Sequence, residues 1–343
     1  MVQILGLLLL SFFTISILLV PFINALYRIR FQRRNQRTRD LFEVRTPIFD
    51  KLHGHKVGTP VGGGALVILV VTALYLAIVS LAPQFGIERT AVYPYKKEVQ
   101  VLLFTFLSFG ILGAYDDLRK TFGFTKTKFW GMRFRHKLAV QWALALAVAS
   151  FLYFSLGIHI VNVRFFDIFD LGLLYIPFAA FVIVSFANAV NISDGLDGLA
   201  TGLLLICLLA FLIISRTILD TILSTFLGLW IGALIAFLYF NIWPARIWLG
   251  DVGALSFGAT LAVCGLILGK PIAMPIIGGM FVVEVGSSLL QILSKKIRHK
   301  KLFDVAPIHL WLQNKGWEES KIVFRFWLAQ IMFAAFGLWL SFF

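Results

Sequence analysis

Residues 188–200 read NAVNISDGLDGLA, and they join two long apolar runs at 172–190 and 199–215. A charge in the hydrocarbon of a bilayer costs several kcal/mol. Asp194 and Asp197 therefore either sit in a soluble core or mark a place where a membrane chain returns to water. The flanking runs decide between the two. Each is close to the length needed to cross a layer roughly 30 Å thick, and the pattern recurs along the whole chain.

Ten spans are predicted, at 3–26, 61–82, 99–115, 138–156, 172–190, 199–215, 222–240, 253–269, 273–294 and 323–342. The sixth and eighth are short and are expected to be tilted or partly interfacial. The expected fold class is an all-α integral membrane protein with about ten transmembrane helices, and residues 1–343 form a single polytopic membrane domain without repeats. Composition supports this: 59% of residues are hydrophobic and 14% charged, against about 25% charged in soluble domains. The first run lacks a preceding basic region and a following cleavage site, so it reads as a helix and not as a signal peptide. Cys207 and Cys264 fall inside apolar runs and read as small core residues.

A net charge of +14 suggests nucleic acid as a partner, but its distribution argues otherwise. Of 31 Lys and Arg residues, 24 lie in the loops 27–60, 116–137, 241–252 and 295–322, each after an odd-numbered span. The positive-inside rule then places these loops in the cytoplasm and both termini outside. Membrane lipids, and no nucleic acid, are the expected partners. The acids keep to the same side. Asp116 and Asp117 end the third span, Asp194 and Asp197 follow the fifth, Asp251 the seventh and Asp304 the ninth.

Four stretches carry chemistry. GAYDDLRK sets Asp116 beside Asp117, a pair that ionises fully only with a cation nearby. It reads as a Mg²⁺ or general-base site, or as two solvated acids beside Arg119 and Lys120. NISDGLDG spaces Asn191, Asp194 and Asp197 three apart, along one helix face, with Gly195 and Gly198 permitting close approach. FNIWPARIWLGDVGALSFG holds Asn241, Trp248 and Asp251; Trp248 suits stacking on a planar base, whereas Trp243 suits headgroup anchoring. HGHKVGTPVGGG holds His53, His55, Lys56 and Thr59 before three glycines, a combination that suits phosphate oxygens but lacks P-loop spacing and is a poor zinc site. Glu284 and Gln291 share a face of the ninth span, and His309 lies on the last basic loop, where a lone histidine is usually solvated. Carboxylates, lysine and basic loops gathered at one membrane face are what a metal-assisted reaction on a phosphorylated substrate needs.

From about residue 45 onward, KVGTPVGGG, GAYDDLRK, NAVNISDGLDGLA, FNIWPARIWLGDVGALSFG, FVVEVGSSLLQ and APIHLWLQNKGWEESKIVFRFW follow in an order and spacing that resembles one family. It is the polyprenyl-phosphate N-acetylhexosamine-1-phosphate transferases, and most of all their phospho-N-acetylmuramoyl-pentapeptide-transferase branch. The resemblance implies ten helices, a cytoplasmic catalytic cleft in the bacterial inner membrane, and commonly a homodimer. It implies Mg²⁺-dependent transfer of phospho-MurNAc-pentapeptide from UDP-MurNAc-pentapeptide to undecaprenyl phosphate, giving lipid I and UMP. By motif, Asp116 resembles the acid that deprotonates the lipid phosphate, Asp117 its catalytic neighbour, and Asp251 the catalytic Mg²⁺ ligand. Lys56 and Thr59 are similar to residues near the phosphates, and Asn191, Asp194 and Asp197 to the cluster around nucleotide and metal. Asn241, Trp248 and Gln291 match the uridine site. The family carries three histidines where this chain reads His309, Leu310, Trp311, which leaves the sugar-peptide open. A related GlcNAc-1-phosphate transferase and a secondary transporter are the alternatives; the latter would carry ionisable groups at mid-membrane, where only Glu284 clearly lies.

Overall fold

In lipid every backbone polar group must be satisfied within the chain, so long apolar runs can only be helices. The computed structural model, which describes residues 2–32, 46–81, 84, 90–123, 132–163 and 167–342, bears this out. Nine helices among the described residues are long and apolar enough to cross a membrane. They are α1 (Val2–Arg28), α3 (Gly63–Leu81), α4 (Tyr95–Phe122), α5 (Phe134–Leu156), α6 (Tyr175–Ser193), α7 (Leu199–Thr217), α8 (Thr221–Asn241), α9 (Gly250–Ile267) and α13 (Glu319–Phe342). Four shorter or broken helices complete the set: α2 (Pro47–His53), α10 (Ala273–Ile277), α11 (Gly279–Arg298) and α12 (Ile308–Asn314).

One expectation needs correction. The ninth predicted span is not one helix. It breaks at Gly278 into α10 and α11, and α11 carries Glu284, Ser287, Gln291 and Ser294 on its buried face, too polar to count as an apolar span. The pair still runs the height of the bundle. Lys270, just before α10, bonds the carbonyl of Ser341 at the end of α13, whereas Glu284 and Gln291 bond His309 and Phe303, in the stretch that precedes α13. A short strand pair accompanies the helices. Residues Ile160–Val163 (β1) and Asp167–Asp170 (β2) pair antiparallel as a hairpin between α5 and α6. The short sixth and eighth spans, α7 and α9, are enclosed by the other helices. Every residue of α9 is buried, and α7 is largely so.

α9 is the central post, packed by α3, α4 and α6. Around it Phe106, Phe226, Trp230 and Phe257 form an aromatic cluster with ring centroids 5.3–5.6 Å apart, the edge-to-face and stacked range. Strand hairpin, chain termini and the α7–α8 turn lie at one end of the bundle. The other end gathers the C-termini of α4, α6 and α8 and the N-termini of α3, α5, α7, α9 and α13. That end is where the acids converge.

Candidate functional site

α4 runs two turns beyond its predicted end, so Asp116 and Asp117 lie within the helix and not after it. Adjacent helical residues point about 100° apart, and the two acids accordingly face different neighbours. Asp117 turns toward α9. Leu249, at the N-cap of α9, makes no side-chain cap bond, and Asp117 Oδ2 accepts the otherwise orphaned N–H of Val252 at 3.0 Å, capping that helix from outside. Gly250 makes room: its φ is +76°, and a Cβ there would stand 2.6 Å from Asp117 Oδ2. Asp116 turns toward α5, accepting from the N–H of Met132 at 2.8 Å and from Lys137 Nζ at 3.1 Å.

Asp251, in the first turn of α9, completes the group. Lys120 Nζ lies 3.0 Å from Asp116 and 2.8 Å from Asp251, and Lys137 also bonds both acids. Three buried carboxylates and two lysines thus meet at the mouth of the bundle. The lysines were not singled out from sequence.

A second ionic group lies on the other side of the segment 242–250. Lys56 is buried, and its ammonium bonds Asp197 Oδ1 at 2.9 Å, the Gly195 carbonyl at 3.3 Å, and Glu319 Oε1. Asp197 Oδ2 accepts the N–H of Ala245 at 2.9 Å, and Glu319 Oε1 the N–H of Asp197 at 2.7 Å. The Lys56 ammonium stands 5.2 Å from the Trp248 ring centroid and 6.0 Å from that of Trp243, within reach of a cation–π contact. Trp243 is thus drawn to the site as well as being partly exposed. Asp194, Gly195, Leu196, Asp197, Asn241 and Trp248 line a narrow pocket.

Other expected residues are placed with different duties. His309 is buried, not solvated, with Nδ1 2.6 Å from Glu284 Oε2. Its Nε2 edge lies against Gly195, where any side chain would collide with it. The close approach that Gly195 permits is therefore that of His309. Asn241 is held within the protein, accepting from Thr201 at 2.8 Å and donating to the Ile247 carbonyl at 3.0 Å. Gln291 bonds the backbone of Leu302 and Phe303 and does not reach the pocket. The expected phosphate cradle at the three glycines is not formed. The N–H groups of Gly63 and Gly64 donate to the carbonyls of Trp248 and Leu249 at 2.8 and 2.9 Å, tying the start of α3 to the segment that bears Asp251. Thr59 lies half-buried beside that tie, and Asn191 half-buried one turn before Asp194. The side chains of His53 and His55 lie outside the described residues.

A helical membrane bundle with acids and lysines convergent at one end defines a class of enzyme that works where lipid meets water. The family model described as glycosyl transferase family 4 matches residues 99–269. Among known proteins, the phospho-N-acetylmuramoyl-pentapeptide-transferase of Rickettsia canadensis is 35% identical over 306 residues, 83% of this chain and 80% of the relative. The enzyme of the same name from Caldanaerobacter subterraneus subsp. tengcongensis is 34% identical over 82% of this chain and 84% of its own length. That of Rickettsia akari is 35% identical over 83% and 80%. The chain therefore belongs to the phospho-N-acetylmuramoyl-pentapeptide-transferase family, a group of phosphoglycosyl transferases, and is a multi-pass protein of the bacterial inner membrane.

Proposed function

We propose that this chain transfers phospho-MurNAc-pentapeptide from UDP-MurNAc-pentapeptide to undecaprenyl phosphate, releasing UMP and forming lipid I, with the convergent end of the bundle facing the cytoplasm. The observation that carries this reading is the buried pair Asp116 and Asp251, bridged by Lys120 and Lys137, with buried Asp117 capping the helix that bears Asp251. An oxygen of the lipid phosphate attacks the β-phosphorus of the nucleotide. The bond from that phosphorus to the bridging oxygen breaks, and UMP departs with the electron pair. Phosphoryl transfer needs positioning and charge stabilisation more than covalent help from the protein.

Asp116 faces the mouth and receives the proton of the lipid phosphate if the lipid arrives protonated. Lys120 and Lys137 already touch two of the acids, and they exchange those partners for the incoming phosphate oxygens. Lys56, with Thr59, supports the nucleotide phosphates. Asn191, Asp194 and Asp197 border the nucleotide, Trp248 and Asn241 shape the uridine pocket, Gln291 supports it from the 302–303 backbone, and His309 stands by the sugar diphosphate.

The reading includes Mg²⁺. Among the described residues no three His, Cys, Asp or Glu side chains enclose a metal unaided. Mg²⁺ does not require it, since it is ordinarily bound by one or two carboxylates plus substrate phosphates. Asp117 and Asp251 are hard oxygen donors side by side at one helix start, and they fit. Bound there, Mg²⁺ supplies charge neutralisation of the diphosphate. A homodimer belongs to the same reading.

Leu310 and Trp311 favour a second reading, transfer of GlcNAc-1-phosphate. Leu310 is buried and Trp311 packs on Phe303 with centroids 6.2 Å apart, so neither offers the donors of a histidine. The test incubates purified protein with undecaprenyl phosphate and either UDP-MurNAc-pentapeptide or UDP-GlcNAc and measures UMP. Mg²⁺-dependent release with the muramoyl substrate, abolished by EDTA, is expected. Release with UDP-GlcNAc alone would move the assignment to the second reading.

A further inference from the structure

We propose that Glu319 is a positioning residue of this site, acting through Lys56 and Asp197; the inference rests on the transferase reading above. Glu319 opens α13, about 120 residues after Asp197 and 263 after Lys56. A single oxygen, Oε1, takes both the Lys56 ammonium and the Asp197 backbone N–H, the latter at 2.7 Å. The last helix thereby fixes two things at once: where the lysine charge stands, and how the pocket loop is turned.

Charge balance singles out this acid. Lys56 and Asp197 neutralise each other at 2.9 Å, so Glu319 adds a second carboxylate to one ammonium. The Glu319 side chain is only 4% exposed, and burying an acid beyond what pairing requires costs stability. Simple packing at the start of α13 would be served better by an apolar residue. What the carboxylate adds is geometry. It holds the ammonium between two acids on the face of Trp248 and leaves Asp197 Oδ2 to hold Ala245, so the 193–198 and 242–250 segments keep one register. Glu319 does not line the pocket, whereas Asp197 and Trp248 do. A ligand there meets the residues that Glu319 orders and not Glu319 itself.

Two variants separate this role from general stability. Glu319→Gln keeps the size and an acceptor for the Asp197 N–H but removes the charge. Glu319→Asp keeps the charge on a shorter arm. Each is assayed by UMP release with UDP-MurNAc-pentapeptide varied at saturating undecaprenyl phosphate, with unfolding followed in detergent. Removing a charge-assisted contact that pre-orders a binding loop acts on binding in the ground state and the transition state alike. Glu319→Gln is expected to raise KM about tenfold with kcat within about threefold, and Glu319→Asp, which keeps the charge on a shorter arm, to raise KM only about two- to threefold. Unchanged KM in a folded Glu319→Gln protein overturns the inference, as does a fall in kcat alone. Should Glu319→Gln not fold, Glu319→Asp decides, with a KM equal to wild type overturning it. UMP binding followed by tryptophan fluorescence supplies a readout independent of turnover. Wild type that binds UMP but releases none from the substrate sinks the transferase reading while still testing Glu319. Wild type that does neither sinks both.

Discussion

The two ionic groups flank one short segment, 242–250, yet they are built on opposite terms. Lys56 is 3% exposed and is gripped by acids from two other elements. Lys120 and Lys137 are 31% and 12% exposed and stand at the mouth of the bundle over acids that come from α4 and α9. Breaking a fully buried pair leaves a charge in low dielectric and is strongly destabilising, whereas ion pairs within reach of water add little to stability. The inner group therefore works as a fastening between distant parts of the chain. The outer group keeps its lysines nearer to water than Lys56, where they are placed to change partners when phosphates arrive.

The contrast is broken most directly at Asp251. Asp251→Asn leaves Asp116 to pair both lysines, so folding is expected to survive while UMP release falls on the order of 10³-fold, the loss typical of removing a group that stabilises developing charge. Single-turnover UMP release beside an unfolding curve checks it. More than a tenth of wild-type activity in a folded variant would put the chemistry elsewhere. Lys56→Met tests the other side. It strands Asp197 and Glu319 without a cation, and a loss of about 3–5 kcal/mol is expected in equilibrium unfolding. A smaller shift than that of Lys120→Met would erase the distinction between fastening and working groups.

Lys120→Met and Lys137→Met sharpen it. Each leaves the other lysine on both acids, so stability should move by no more than about 1 kcal/mol. Rate should still fall by about tenfold or more, because the lysines balance phosphate charge. Equal losses of stability and rate would mean that the outer group is only another fastening.

These lysines also show what the sequence could and could not disclose. In a chain this apolar an acid stands out, so Asp116, Asp117, Asp194, Asp197 and Asp251 were legible as site candidates, and nine of the ten spans appear as apolar helices among the described residues. Lys120 and Lys137 were hidden by the rule that revealed the topology, since basic residues crowd every loop on that side. Glu319 was hidden by distance, its partners lying 122 and 263 residues away. The break at Gly278 was hidden because α11 turns its polar residues inward, a pattern visible only when its neighbours are known. The opposite error was made at the three glycines. A Gly-rich helix start has amides to offer a phosphate, but here the amides of Gly63 and Gly64 are taken by the 248–249 carbonyls.

Gln291 gives the smallest and most discriminating test. The resemblance implies a place for it at the uridine, yet its carbonyl accepts from Leu302 and Phe303 at 2.9 Å each and its amide donates to the Phe303 carbonyl at 2.8 Å. A side chain with both ends engaged by backbone can serve a ligand only by releasing that backbone. Gln291→Ala removes three hydrogen bonds that hold the 302–303 turn against α11, and about 1–2 kcal/mol of stability should go with them. If the amide acts only through this turn, KM for UDP-MurNAc-pentapeptide changes by no more than about twofold. A tenfold rise in KM with unchanged stability would instead mean that Gln291 leaves the turn when the nucleotide binds. The α11 end of the site would then be a moving part, in contrast to the fixed inner group around Lys56.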